Sequence, residues 1–198
     1  MATDRDTPLL WVGLGNPGPD HARQRHNIGF MAIEAIAGRH RFAPWRKRFK
    51  GEIAEGIIGG RRIIALKPLT YMNESGDSVQ AAAGFTKISL DAIWVFHDEL
   101  DLAPGKVRVK LGGGVAGHNG LRDIRRAMGS PDYGRIRIGI GHPGHKDAVT
   151  GHVLGNFAKA DQDWVTALLD AMAEAAPLLA EERAEAFMTR VALLTQPA

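Results

Sequence analysis

The chain alternates between short apolar runs and longer mixed stretches, and the two periods predict different elements. Leu9 to Val12 is apolar at every position, which predicts a strand buried on both faces. A glycine-proline turn over Gly13, Gly15, Pro17 and Gly18 follows, then a polar loop, then a helix from near Asn27 that carries Ile28, Met31, Ile33, Ala35 and Ile36. Glu52 to Ile58 and Arg61 to Leu66 read as two strands joined at Gly59-Gly60, with Lys67-Pro68 ending the second. Ser75 to Phe85 is an alanine-rich helix, and Ile93 to His97 is another buried strand. Val107 to Leu111 alternates as a half-exposed strand, Gly112 to Asn119 is a glycine-rich loop, and Leu121 to Met128 is helical. Arg135 to Ile140 alternates basic and apolar residues as a strand, and Gly141 to Gly155 reads as loop. Asp161 to Leu194 is helical, with a break expected near Pro177.

Helices interleaved with strands, some by crossover and some by hairpin, predict an α/β fold: one domain over residues 1–198, with a mixed central sheet flanked by helices. Residues 1–7 read as a loose tail and 161–194 as a C-terminal helical segment. Three polar clusters follow strands: Asn16 with His26, then Tyr71-Met72-Asn73, then Asp98. If those strands are parallel neighbours, the clusters meet at one carboxyl edge, where open α/β sheets keep their sites. His118 and Asn119, ending the glycine loop, could close over the same place.

Composition narrows the chemistry. With 198 residues and 44% hydrophobic content, the chain can fill one ordinary core. It has no cysteine, which excludes a disulfide framework, a thiol nucleophile and a thiolate zinc site. No apolar run is long enough for a signal peptide or a bilayer span, so a cytoplasmic location with no membrane partner is expected. The formal charge is +3, unevenly spread. Arg39 to Lys50 is basic and acid-free, and Arg108, Arg135 and Arg137 lie on strands, whereas acids gather after Asp161. Such asymmetry suggests a polyanion docked on one side, although any single charge is more simply a solvated one.

The literal pattern Gly13-x-Gly15-x-x-Gly18 matches a dinucleotide fingerprint. Gly18 is followed by Pro19 and Asp20 rather than by helix, and no acid closes a second strand about 20 residues on, so that reading is the weaker one. His142 and His145 have a spacing that could bind metal, but two histidines in a loop are weak evidence for a site, and no metal or other cofactor is expected. What remains is one base candidate, His26, one carboxylate, Asp98, and the amides of Asn16, Asn73 and Asn119. A histidine changes charge near neutral pH and can take a proton from water. A carboxylate can orient its ring. Amides both donate and accept hydrogen bonds and suit a peptide and a developing oxyanion. Each has a plainer role in isolation: asparagine is common in turns and caps, Asp98 could cap a turn, and Met72 could be packing.

Six ordered blocks, VGLGNPG, RHNIGF, KPLTYMNESG, HDELDLAPG, KLGGGVAGHNGLRDI and RIRIGIGHPG, together resemble bacterial peptidyl-tRNA hydrolase from about Leu10 to Gly155. The resemblance implies a monomeric enzyme that cleaves the ester joining a peptide to the 3′ end of tRNA. It implies His26 as catalytic base, Asp98 as its supporting acid, and Asn16 as the group that separates blocked from free aminoacyl esters. Tyr71, Asn73 and Asn119 are implied substrate contacts, with Met72 and His118 as adjoining walls. Arg108 and Arg137 are implied to grip a tRNA phosphate, and the Arg39 to Lys50 segment is expected to hold further phosphates. His21 stands where the family usually has tyrosine beside the nucleotide end, and Arg108 where it often has lysine. An RNA-binding module without catalysis and a nucleotide-dependent oxidoreductase are the rival readings. The first leaves His26, Asp98 and the three asparagines unexplained.

Overall fold

A computed structural model describes residues 3–198. The strands are β1 (Leu9–Gly13), β2 (Arg46–Arg48), β3 (Gly51–Ile58), β4 (Arg61–Pro68), β5 (Ile93–Glu99), β6 (Val107–Leu111) and β7 (Gly134–Gly139). They form one sheet in the order β2-β3-β4-β1-β5-β7-β6. β1 runs parallel to both β4 and β5, and β5 parallel to β7, while β2-β3, β3-β4 and β6-β7 are antiparallel. The sheet is therefore mixed, and the three strands that precede the polar clusters are neighbours pointing the same way. β1 and β5 are buried at every position, as their unbroken apolar pattern requires.

The helices are α1 (Ile28–Arg39), α2 (Ser75–Thr86), α3 (Asn119–Met128), α4 (Val149–Val153), α5 (Gln162–Ala180) and α6 (Ala184–Leu194). α1 packs on β1, β5 and α5, while α2 packs on α3. The fit of α1 depends on two glycines. A Cβ on Gly13 would sit 2.4 Å from the carbonyl oxygen of Gly29, and one on Gly29 would sit 2.3 Å from that of Phe96. Gly15 lies against the ring of Phe30. The first two glycines of the nucleotide-like pattern thus serve close helix-to-strand approach, which brings the start of α1 to the end of β1.

Three local expectations need correction. Pro177 lies inside an uninterrupted α5. A proline cannot donate to the carbonyl four residues back; that carbonyl, Ala173 O, instead lies 2.7 Å from His40 Nε2, so an imidazole supplies the missing donor. The break comes later, at Glu182, with φ 59°. The 141–155 loop contains α4, and Arg46–Arg48 of the basic run form the edge strand β2. The expected loose tail is tied down from Thr3 on, residues 1–2 lying outside the described residues: Thr3 donates from its backbone to Glu182 Oε2 at 2.8 Å, and Arg61 Nε donates to Thr7 O at 2.9 Å.

Candidate active site

The ends of β1, β4 and β5 open into a cleft of about 810 Å³ lined by all three polar clusters and by the end of the glycine loop. Asp98, the next-to-last residue of β5, is at its floor. His26 reaches it from the short 3-10 turn Arg25–Asn27 that leads into α1. His26 Nδ1 lies 2.8 Å from Asp98 Oδ2, and His118 Nε2 lies 2.7 Å from Asp98 Oδ1. One carboxylate thus bridges two imidazoles.

The protons of both rings can be assigned. His118 is the N-cap of α3, and its Nδ1 accepts from the backbone N–H groups of Gly120 at 3.1 Å and Leu121 at 3.4 Å. A nitrogen that accepts carries no proton, so the hydrogen of His118 is on Nε2 and is donated to Asp98. Asp98 accepts in the same way from His26 Nδ1–H, which leaves His26 Nε2 as a lone pair. His26 lines the cleft with its side chain only about 10% exposed. Burial opposes the charge on Asp98, yet the two imidazoles outweigh it and hold the carboxyl far below the usual carboxylate range.

Asn16 is fixed with equal economy. Its Oδ1 accepts from the backbone N–H of Met72 at 2.7 Å. Its backbone N–H donates to Asn27 Oδ1, and its carbonyl accepts from Asn27 Nδ2, both at 2.9 Å. With the oxygen used, the amide nitrogen is the free end of Asn16 in the cleft, and it can only donate. Met72 is buried, as its plainer reading suggested. Tyr71, Asn73 and Asn119 are exposed at the rim. Asn119 Oδ1 accepts from Arg122 at 3.1 Å, leaving its Nδ2 free.

Three predicted residues are outside the cleft lining. His21 stands on the loop before α1 with Nδ1 2.9 Å from Gln24 Oε1. Arg108 and Arg137 are directly opposed on β6 and β7. Arg137 Nε donates to Glu99 Oε2 at 3.0 Å, and Arg108 has no carboxylate partner among the described residues. Like charges in register weaken a sheet unless something anionic lies over them.

Several participants escaped the sequence reading. Asn27 was legible as a helix start beside the site, but not as the group that holds Asn16. His97 is fully buried, donates from Nδ1 to Asp98 O at 2.8 Å, and has its ring 5.2 Å from that of His118. Burial, and then the neighbouring His118, push its pKa down to about 3, so it is neutral. Arg135 reaches the carbonyls of Gly113, Gly114 and Pro131 and so anchors the loop that carries His118. The far wall comes from α4 and beyond it, with Val149, Val153 and Leu154, an apolar spacing the loop reading overlooked. His26, Asp98 and His118 offer ligand atoms within 4.8 Å of one another, a set that could hold a divalent ion. Both carboxylate oxygens are already engaged by ring N–H groups, so a metal would have to displace two protons.

The peptidyl-tRNA hydrolase family model matches residues 10–197. The chain belongs to the peptidyl-tRNA hydrolase family. It is 68% identical over 187 residues to the peptidyl-tRNA hydrolase of Granulibacter bethesdensis, covering 94% of this chain and 96% of that one. It is 67% identical to that of Acidiphilium cryptum, covering 94% and 97%. The crystal structure of the Acinetobacter baumannii peptidyl-tRNA hydrolase superposes with a TM-score of 0.88 at 40% identity, over 96% of this chain and 97% of that one. The expected fold and family are borne out, and the family's reaction, hydrolysis of peptidyl-tRNA, is this chain's.

Proposed function

We propose that the ester is cleaved by direct attack of water, with His26 as general base and no covalent intermediate. The observation that carries this reading is the bridged array in the cleft: Asp98 takes the Nδ1 proton of His26 and leaves its Nε2 lone pair free. Water held there loses a proton to Nε2 as its oxygen bonds to the ester carbon. The carbonyl oxygen becomes an oxyanion, for which the Nδ2 donor of Asn16 is at hand, while the rim amides of Asn73 and Asn119 hold the peptide. Collapse breaks the bond to the ribose 3′ oxygen, and His26 returns its proton to that oxygen. Asp98 stays ionised throughout and stabilises the imidazolium.

Recognition is assigned to the same donors. The first peptide amide offers a neutral N–H and carbonyl, which a charged free α-amine cannot imitate. Tyr71 offers an exposed ring for stacking and Met72 a packed floor, while His21, near the nucleotide end, can stack or hydrogen-bond. Arg108 and Arg137 take a phosphate of the acceptor stem, so that backbone contacts set register while the cleft does chemistry. The enzyme acts as a monomer in the cytoplasm, and no described helix is long and apolar enough to cross a membrane. The test is hydrolysis of N-acetyl-aminoacyl-tRNA: His26→Ala should lose about a hundred- to ten-thousandfold in kcat, and rates near wild type would remove His26 from the mechanism.

A further inference from the structure

A second groove, of about 770 Å³, adjoins the catalytic cleft, and the exposed ring of Tyr71 stands between the two. Lys47, Arg48 and Lys50 line it, against a single acid, Glu74. These bases come from β2 and the turn into β3. The turn is at the same sheet edge as the cleft, because Gly51 pairs with Pro68 at the end of β4 and Leu69 N donates to Lys50 O at 3.0 Å.

Arg48 is held in place by two rings. The guanidinium of Arg48 lies 4.6 Å from the ring centroid of Phe49 and 4.1 Å from that of Phe85. Stacking fixes the charge without neutralising it. Neither Lys47 nor Arg48 has a carboxylate partner among the described residues, and Lys50 has only the exposed Asp77 at 3.5 Å. Phe49 and Lys50 occupy a two-residue hairpin turn at φ 55° and 54°, positions that favour asparagine and glycine. The chain keeps a bulky apolar and a basic residue there, against the local preference, and one braces Arg48 while the other faces the groove.

The sheet order says which part of the substrate meets these charges. Arg108 and Arg137 lie on β6 and β7, at one end of the order, and β2 lies at the other, with β1 and β5 between. We propose that the peptide leaves the cleft past Tyr71 into this basic groove, which makes the enzyme favour peptidyl-tRNAs whose chain carries acidic side chains a few residues from the ester. This rests on the assignment of Arg108 and Arg137 to tRNA: an ester held between the two ends sends its nucleotide side one way and its peptide the other. It also reassigns the Lys47 to Lys50 part of the basic segment from RNA to peptide. From β1 to β2 is three strand spacings, on the order of 14 Å at about 4.8 Å each. An extended peptide covers that in about four residues, so the third to fifth residues from the ester are the ones the groove reads.

The experiment compares three substrates on one tRNA: N-acetyl-aminoacyl, and pentapeptidyl with aspartate or with lysine at the third to fifth positions. Wild type should show kcat/KM about fivefold higher for the aspartate peptide than for the lysine peptide at low salt, the scale of a few exposed ion pairs. The double variant Lys47→Glu/Lys50→Asn should abolish or invert that ratio; asparagine suits the positive φ at position 50. Equal rates on both peptides in wild type would overturn the proposal. So would a variant that loses the same factor on all three substrates, since that outcome puts RNA in the groove. Arg108→Ala tests the other premise separately: it should flatten the salt dependence on all three substrates alike and leave the aspartate-to-lysine ratio unchanged, and a salt slope equal to wild type would overturn the tRNA assignment instead.

Discussion

The cleft has an inner wall and a rim, and they are built on different principles. On the inner wall, Asn16, His26 and Asp98 are buried, and four of their six side-chain polar atoms have partners within the chain, which leaves Asn16 Nδ2 and His26 Nε2 to the cleft. At the rim, Tyr71, Asn73 and Asn119 are exposed, and the amide of Asn73 makes no side-chain hydrogen bond among the described residues. Preorganised dipoles stabilise developing charge because they need not reorganise as the reaction proceeds. Groups free to adapt contribute to binding, at an entropic cost. Under the proposed mechanism, the wall carries the chemistry and the rim carries affinity.

The largest effect expected from breaking this division is at Asp98. In Asp98→Asn, one side of the carboxylate becomes an amide donor. His118 already spends Nδ1 as an acceptor for the start of α3, so its Nε2–H must keep the oxygen of residue 98. The amide then faces His26 and forces its Nδ1 to accept, which moves the proton to Nε2 and removes the base. The expected loss in kcat is about a thousandfold. The sharper form adds His118→Ala, which frees the amide to flip; the double variant should recover part of the loss. If it is no better than the single variant, His118 does not dictate the tautomer.

The inner wall should also be the acid-labile part of the molecule. His97 is neutral in the folded state down to about pH 3, whereas its free value is near 6.5. Between those values the unfolded chain binds a proton that the native chain does not. Stability from this group is therefore complete above pH 6.5 and declines on acidification, by up to about 1.4 kcal/mol per pH unit. Asp98, depressed in its pKa, adds a loss that begins only near and below its unfolded value, about pH 4. His97→Phe should weaken the fold at neutral pH through the lost bond to Asp98 O, but its unfolding free energy should fall less steeply from pH 6 to 4. Denaturant titrations of both proteins across that range measure the slopes, and equal slopes would show that His97 is not the proton-linked group.

Wall and rim also differed in how far the sequence revealed them. Unbroken apolar runs gave β1 and β5, and polar residues just after strands gave Asn16, Asp98 and the Tyr71 cluster, because a parallel sheet concentrates function at one edge. What stayed hidden depends on distance in space. Nothing local tells that His97, beside Asp98 in the chain, is buried and neutral, or that Arg135 holds the glycine loop rather than a phosphate. Pro177 misled for the same reason: the donor that rescues its helix, His40, is over 130 residues away in sequence. His118 was read as a wall residue, since a cap and a carboxylate partner can be recognised only when α3 and β5 are placed together.

At the rim the effects should be smaller and of another kind. Asn73→Ala removes a group with no structural duty in the described residues, so kcat should be nearly kept while KM rises by less than about tenfold, the scale of one hydrogen bond. A fall in kcat with KM unchanged would move Asn73 from the rim to the wall and blur the division.

The smallest effect is expected farthest from the chemistry, at the arginine pair, and there the choice of variant decides what is learned. Arg137→Ala would strand Glu99, whose side chain is only 8% exposed and which Arg137 neutralises at 3.0 Å. Removing one partner of a buried pair destabilises the fold by itself, so weakened tRNA binding in that variant would have two causes. Arg108 is on the edge strand, its guanidinium hydrogen-bonded only to the carbonyl of Val107, so Arg108→Ala removes a charge and little else. If Arg108 contacts one phosphate, the slope of log Kd against log salt should shrink by about one, with kcat at saturating substrate unchanged. A slope equal to wild type would mean that no phosphate lies over β6. The opposed arginines would then be offset by Glu99 alone, and the direction assigned to the peptide would lose its anchor.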